Sequence, residues 1–304
     1  MELGLIGLGK MGANMAERLR RADHTVVGYD RSEEAPRDVA SMEELVARLS
    51  APRAVWVMVP AGGPTSETIH RLADLLESGD IIVDGGNSRF SEDQEHADFV
   101  AAKGIRFVDC GVSGGVWGLE NGYGLMAGGS NEDIEALLPI FDALRPEGPR
   151  DEGFAHAGRV GAGHFAKMVH NGIEYGLMQA YAEGYELLAA ADEVTDVTAT
   201  MKAWSRGTVV RSWLLDLLVK ALEDDPGLTL LADWVDDSGE GRWTIEEAIE
   251  HAVPVPVISA SLFARFSSRQ KSSPAGRALA ALRNQFGGHA VHEAGPSSGA
   301  GSTN

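Results

Sequence analysis

The feature that most restricts what this chain can fold into is a glycine pattern wedged between two regular elements. The short apolar run Leu3-Gly4-Leu5-Ile6 leads straight into Gly7-Leu8-Gly9-Lys10-Met11-Gly12. A helical pattern then runs from Met11 to Arg21. Glycines at those positions allow a tight turn and a close approach of the backbone to a ligand. The helix that follows offers free N–H groups and the positive end of its dipole. Alone, such a pattern is weak; its meaning comes from the strand before it, the helix after it and a second strand, Thr25–Tyr29, ending at Asp30. In that setting it predicts a dinucleotide site. The carboxylate of Asp30 can accept from a ribose 2′-hydroxyl and repels a 2′-phosphate, which favours NAD. Arg31 pulls the other way, because a guanidinium there can bind the 2′-phosphate, so NADP stays open. The expected cofactor residues are Gly7, Leu8, Gly9, Lys10, Met11, Gly12, Asp30 and Arg31. Val59, Pro60 and Ala61 join them on the nicotinamide side, together with Asn87.

Further short β-rich runs follow at Ala54–Val59, Asp80–Asp84 and Ile105–Val108, most of them separated by amphipathic stretches of helical length. This alternation predicts an α/β domain, a Rossmann-type doubly wound parallel sheet with helices on both faces. After about Gly158 strand-like runs nearly vanish. The pattern Gly163–Ala191 reads as one or two helices, with more over Thr195–Leu222, Trp243–Ala252 and Val257–Arg269. The expected organisation is therefore a dinucleotide-binding domain over 1–158, an all-helical substrate and oligomerisation domain over 159–292, and a Gly/Ser-rich, disordered tail over 293–304.

A net charge of −19 repels nucleic-acid phosphates and argues against a nucleic-acid partner. No apolar run approaches the ~20 residues of a membrane span. With a single cysteine, Cys110, and a first strand beginning at the N-terminus, the expected location is the cytoplasm. The histidines are scattered, without the spacing of metal ligands, and no metal is expected.

Three later segments carry chemistry. Asp84-Gly85-Gly86-Asn87-Ser88 and Asp109-Cys110-Gly111-Val112-Ser113-Gly114-Gly115 end successive strands, at the edge where ligands bind in such sheets. Taken singly, each could be only a turn. In the third, Gly163–Tyr175, the residues Lys167, His170, Asn171 and Glu174 fall at i, i+3, i+4 and i+7 and stack on one helix face. Such a stripe can be a solvated, ion-paired face. The apolar, glycine-flanked surroundings favour a buried one, whose groups must satisfy each other or a ligand.

At these motifs the chain resembles the decarboxylating 6-phosphogluconate dehydrogenases, in the short form that lacks a duplicated helical half. The resemblance continues through Gly241-Arg242-Trp243-Thr244, Phe263-Ala264-Arg265 and Arg283-Asn284-Gln285-Phe286-Gly287-Gly288-His289. It implies oxidative decarboxylation of 6-phosphogluconate to ribulose 5-phosphate and CO2 in the pentose phosphate pathway. Lys167 is implied as base and Glu174 as acid. Asn87, Ser113, Gly114, Gly115, His170 and Asn171 would hold the substrate's carboxylate and hydroxyls. Tyr175 and Arg265 would hold its phosphate, completed by Arg283 and His289 of a neighbouring subunit in a homo-oligomer, a dimer or tetramer. One departure stands out: Ser238 occupies a position where the family often has a phosphate-binding lysine. Two alternatives compete. A non-decarboxylating 3-hydroxyacid dehydrogenase of the same superfamily would have no distal phosphate for Arg265, Arg283 and His289 to bind. A non-catalytic cofactor sensor would need no Lys167/Glu174 pair.

Overall fold

A computed structural model describes residues 1–287 together with 290 and 292. The first half alternates as expected. It runs β1 (Glu2–Ile6), α1 (Lys10–Arg21), β2 (Thr25–Tyr29), α2 (Met42–Arg48), β3 (Ala54–Val57), α3 (Gly63–Leu75), β4 (Ile81–Asp84), α4 (Phe90–Ala101) and β5 (Arg106–Ser113). A short helical turn, α5 (Gly118–Asn121), leads to β6 (Gly124–Gly128), α6 (Asn131–Leu144) and β7 (Phe154–Gly158). The seven strands form one sheet in the order β2-β1-β3-β4-β5-β6-β7. Alternate residues of the strands feed two separate cores. Leu3, Leu5, Trp56 and Val83 pack with α1 and α6 residues, whereas Ile6, Val55, Val57 and Ile82 pack with α2, α3 and α4 residues. Period-two alternation with both faces covered is the doubly wound arrangement.

Two details depart from the sequence expectation. The sheet is not wholly parallel, because β6 runs antiparallel to β5, pairing Cys110 with Ala127 and Ser113 with Gly124. The strand starting near Ile105 also continues to Ser113, through the glycine-rich motif that was expected to follow it.

The second half is helical. The run from Gly163 is one 29-residue helix, α7 (Ala162–Ala190), followed by α8 (Val197–Trp204), α9 (Trp213–Asp224), α10 (Glu240–Glu250), α11 (Pro256–Ser268) and α12 (Pro274–Gly287). Ser212 and Asp196 cap α9 and α8 by accepting from backbone N–H groups. The change from strand to helix falls after Gly158. The compact units divide differently: one comprises Met1–Gly184 with Ser238–Ser259, the other Tyr185–Asp237 with the chain from Ala260 onward. Most of α7, as far as Gly184, and all of α10 thus fold with the sheet. No helix among the described residues is long and apolar enough to cross a membrane.

Candidate active site

The turn after β1 is built for close backbone approach. A Cβ on Gly12 would lie 1.9 Å from the Gly7 carbonyl oxygen, and one on Gly7, which has φ +94°, would lie 2.4 Å from that of Met58. A Cβ on Gly9 would meet nothing within 4 Å, so the way to the N-terminus of α1 is open. No side chain caps that terminus and no acidic residue sits in its first turn. Open, uncapped N–H groups at a helix start form a cradle that fits an anionic pyrophosphate. Asp30 follows β2, and its carboxylate accepts from the Leu8 N–H at 2.7 Å and from the Ser32 N–H at 2.7 Å. Asp30 therefore ties the glycine turn to the end of β2 while keeping lone pairs for a ribose hydroxyl. Arg31, which follows it, and Lys10, at the start of α1, are exposed. Val59, Pro60 and Ala61 lead from β3 into α3, with Thr65 Oγ1 donating to the Pro60 carbonyl at 3.0 Å.

At β4, the Asp84 carboxylate accepts from Gly86 N–H at 3.0 Å, and a Cβ on Gly85 would strike Trp56 Nε1 at 2.0 Å. That tight turn leaves Asn87 exposed. At β5, a Cβ on Gly111 would lie 2.3 Å from Lys167 Cβ. This glycine is what lets α7 rest on the strand with Lys167 at its end. Ser113 closes β5, Gly114 and Gly115 turn away from it, and Ser113 Oγ stands 3.5 Å from His170 Nε2.

On α7, Lys167 Nζ donates to Asn171 Oδ1 at 2.7 Å, and His170 Nδ1 lies 3.0 Å from the same oxygen. His170 Nδ1 is 3.9 Å from Glu174 Oε2. Burial lowers the proton affinity of the Lys167 amine, and the charges of Glu174 and Glu240 oppose that loss only in part. The stripe is not buried throughout. Asn171 and Tyr175 are buried, whereas the side chains of His170 and Glu174 keep 44% and 39% of their surface. The reason is the placement of α10, which covers only one flank. Thr244 Oγ1 donates to the Met168 carbonyl at 3.0 Å, a Cβ on Gly172 would meet Thr244 at 2.8 Å, and a Cβ on Gly241 would meet the Tyr175 ring at 2.7 Å. Lys167, His170 and Glu174 line the border of that covered face. At its far end Ser238 N–H donates to Tyr175 Oη at 3.2 Å.

Arg265, on α11 in the second unit, donates to the Asp236 carbonyl at 2.9 Å. Arg283 is exposed on α12. His289 lies outside the described residues.

Sequence reasoning missed several residues. Glu240, buried at the start of α10, accepts from Asn171 Nδ2 at 3.1 Å. Asp109 accepts from the N–H groups of Gly161 at 2.7 Å and His164 at 2.8 Å, anchoring the start of α7. His164 Nδ1 pairs with both oxygens of Asp93 at 2.9 Å. Asp84, Asp93 and His96, and likewise Asp93, Asp109 and His164, converge with ligand-type atoms within 4.8 Å of one another. Asp93 and His96 lie one turn apart on α4, but Asp84, Asp109 and His164 join them from other elements, so spacing alone gave no signal of a shared buried cluster.

Two family models match the chain. The NAD binding domain of 6-phosphogluconate dehydrogenase matches residues 2–146, and the 6-phosphogluconate dehydrogenase C-terminal domain matches 163–294. An NAD(+)-dependent, decarboxylating 6-phosphogluconate dehydrogenase of Haloferax volcanii is 43% identical over 96% of this chain and 98% of its own length. An NADP(+)-dependent, decarboxylating relative from Bacillus subtilis is 36% identical over 89% of this chain and 62% of its own, longer sequence. Among solved structures, 6-phosphogluconate dehydrogenase of Plasmodium falciparum is similar with a TM-score of 0.78 and 26% identity, covering 98% of this chain and 67% of that one. A 3-hydroxyisobutyrate dehydrogenase from Salmonella typhimurium, at 22% identity and a TM-score of 0.72 over 88% of this chain and 93% of its own, shares the fold.

Proposed function

The chain belongs to the 6-phosphogluconate dehydrogenase family of NAD(P)-dependent oxidoreductases, and we propose that it converts 6-phosphogluconate to ribulose 5-phosphate and CO2 with NAD as the preferred cofactor. The observation that carries this reading is the half-buried Lys167 amine, held by Asn171 on the same helix face as Glu174 and packed on Gly111 of β5. An amine of lowered proton affinity is more readily available as a base than a solvated lysine.

In the proposed course, Lys167 Nζ takes the proton of the substrate's 3-hydroxyl. A nicotinamide held by the glycine turn after β1 and by Val59, Pro60 and Ala61 would supply the acceptor for the hydride from C3. The 3-keto acid then loses its carboxylate as CO2. The electron pair of the broken C1–C2 bond passes toward the ketone, and Lys167 returns its proton to that oxygen. Glu174 delivers a proton to the former C2 of the enediol, and Lys167 removes the enol proton as the new ketone forms. Asn87, Ser113, Gly114, Gly115, His170 and Asn171 are proposed to hold the carboxylate and hydroxyls. Tyr175 and Arg265 are proposed for the phosphate, completed by Arg283 and His289 of a neighbouring subunit, with Ser238 supplying a hydrogen bond in place of a charge. The cofactor preference rests on Asp30, whose carboxylate opposes a 2′-phosphate.

We also infer a homo-oligomer. Ile173, Leu177, Met178 and Leu187 along α7 are exposed, an apolar run of the kind that subunit contacts cover. The deciding experiment supplies 6-phosphogluconate with NAD or NADP and measures reduced cofactor and CO2 together. Equal yields of both products are expected. Reduced cofactor without CO2 would point to the non-decarboxylating alternative, and neither product would refute the assignment.

A further inference from the structure

The Lys167 amine has a neighbour that the stripe on α7 does not contain. Lys167 Nζ donates to Asn171 Oδ1 at 2.7 Å, and the other end of that amide donates from Nδ2 to Glu240 Oε1 at 3.1 Å. One amide thus bridges an amine and a carboxylate. Glu240 is 2% exposed, and its second oxygen, Oε2, is buried without a hydrogen-bond partner among the described residues. A buried carboxylate with an unanswered oxygen is costly and needs a reason. The N-terminal turn of α10 is already fixed to α7 by Thr244, which donates from Oγ1 to the Met168 carbonyl at 3.0 Å and the Glu240 carbonyl at 2.7 Å.

We propose that Glu240 is a positioning residue for the reaction, fixing the Asn171 amide so that its oxygen faces Lys167 and setting, through its charge, the pH at which that amine gives and takes its proton. The inference rests on the reading of Lys167 as the base. That reading asks the amine to change protonation several times in one turnover, so neither state can be strongly favoured. Burial pushes the amine toward the neutral form. Two carboxylates push back, Glu174 on the same helix and Glu240 on α10. His170, a further titratable group beside them, shares the Asn171 oxygen. Glu174 is partly solvated and is assigned a proton donation of its own, so its charge changes during the cycle. Glu240 sits behind the amide and is given no proton transfer, so its influence on Lys167 is the same before and after Glu174 has given its proton.

The test uses Glu240→Gln and Glu240→Ala in the full-length enzyme. Glutamine keeps the acceptor for Asn171 and removes the charge; alanine removes both. Two readouts separate this inference from the assignment of Lys167. The first is the Lys167 13Cε chemical shift followed against pH without substrate. The second is the pH profile of kcat/KM with 6-phosphogluconate and NAD. In Glu240→Gln both the 13Cε titration and the acidic limb of the profile should move to lower pH by about one unit, as expected when one nearby charge is lost from a partly buried site. Glu240→Ala should show the same shift and a further fall in kcat of about tenfold, because the amide is free to turn. A 13Cε titration unmoved in Glu240→Gln overturns the proposal. A titration that moves while the kcat/KM limb stays in place upholds the coupling and instead refutes Lys167 as the base. Should Glu240→Gln fail to fold, Glu240→Asp withdraws the charge by one methylene. A smaller shift in the same direction is then expected, and no shift overturns the proposal.

Discussion

The buried pair between α4 and α7 allows a quantitative test of how the start of α7 is held. His164 and Asp93 are almost fully buried, with His164 Nδ1 2.9 Å from both carboxylate oxygens. Burial by itself would drive the imidazolium to lose its proton. The charge and hydrogen bond of Asp93, with Asp84 and Asp109 adding, outweigh that and hold His164 up to about 9. Asp93 is itself pushed up to about 7, first by burial and then by Asp109 and Asp84, against the pull of His164. Both groups bind their protons more tightly in the folded chain than in the unfolded one. For His164 the stability is fully present below the unfolded value of about 6.5 and is lost as pH rises through 9. At 1.36 kcal/mol per unit, two units between pH 7 and 9 amount to about 3 kcal/mol, or roughly 5–10 °C in Tm. The Asp93 contribution is lost lower, between about pH 4 and 7, so the upper window isolates the histidine. The assay is Tm by calorimetry from pH 7 to 9.5 for the wild type and for the neutral double variant Asp93→Asn/His164→Gln. The double variant carries every other titrating group, so the difference between the curves reports the pair. The gap should close by about 3 kcal/mol across the window and depend little on salt, because the pair is buried. Parallel curves would refute the claim that His164 keeps its proton through its contact with Asp93.

Lys167→Met should lower turnover by about 10²–10⁴-fold while NAD affinity, measured by calorimetric titration, stays unchanged, because the amine lies on α7 and not in the glycine turn. Asp30→Asn should raise kcat/KM with NADP relative to NAD. It should also cost about 1 kcal/mol of stability, since an amide offers one oxygen where the carboxylate serves Leu8 and Ser32 with two. An unchanged cofactor ratio would show that Arg31 governs the choice. Gly111→Ala would place a methyl 2.3 Å from Lys167 Cβ and 2.9 Å from the Gly163 carbonyl oxygen. A displacement of α7 by about 1 Å is then expected to cost about 10²-fold in kcat with little change in NAD affinity, read by steady-state kinetics.

The first domain was legible because local chemistry and tertiary role agree there. The glycines of the β1–α1 turn, the acid after β2 and the buried apolar runs each mean the same thing alone and in the fold. The sheet edge was not legible. Gly124–Gly128 begins and ends in glycine, and Phe154–Gly158 is mostly exposed, so neither carries the alternation that marks a strand. Their pairing comes from extending β5 and from backbone contacts that no side-chain pattern records. The stripe on α7 was legible as a set of residues, and its burial was not. The periodicity of α7 places Lys167, His170, Asn171 and Glu174 on one face, but which part of that face is covered depends on α10, about 70 residues later. Glu240 was invisible for the same reason. An acid in the first turn of a helix ordinarily answers the helix dipole at the surface, and only the packing of α10 on Asn171 turns it into a buried neighbour of Lys167.

The contacts on α7 are concentrated where the chemistry is proposed. Gly163 lies so near the sheet that a Cβ would fall 2.4 Å from the Met126 carbonyl oxygen and 2.8 Å from that of Asp109. Asp109 takes up N–H groups at the helix start, His164 is locked to Asp93 one turn before Lys167, and Asn171 is locked to Glu240 one turn after it. Four constraints from four elements therefore fall within three turns of one helix. Beyond Gly176 the same helix exposes Leu177, Met178 and Leu187. A base must be held to a fraction of an ångström to be effective, and a flexible four-carbon side chain cannot supply that rigidity alone. Strand β5 fixes the root of Lys167 through Gly111, and the Asn171–Glu240 pair fixes its tip. Each buried carboxylate here is expensive in isolation, yet each lies one hydrogen bond from a group whose position or proton the proposed reaction depends on. The cost of burying charge is thus met where it fixes geometry, and an apolar replacement of equal volume would restore stability without restoring the position of the amine.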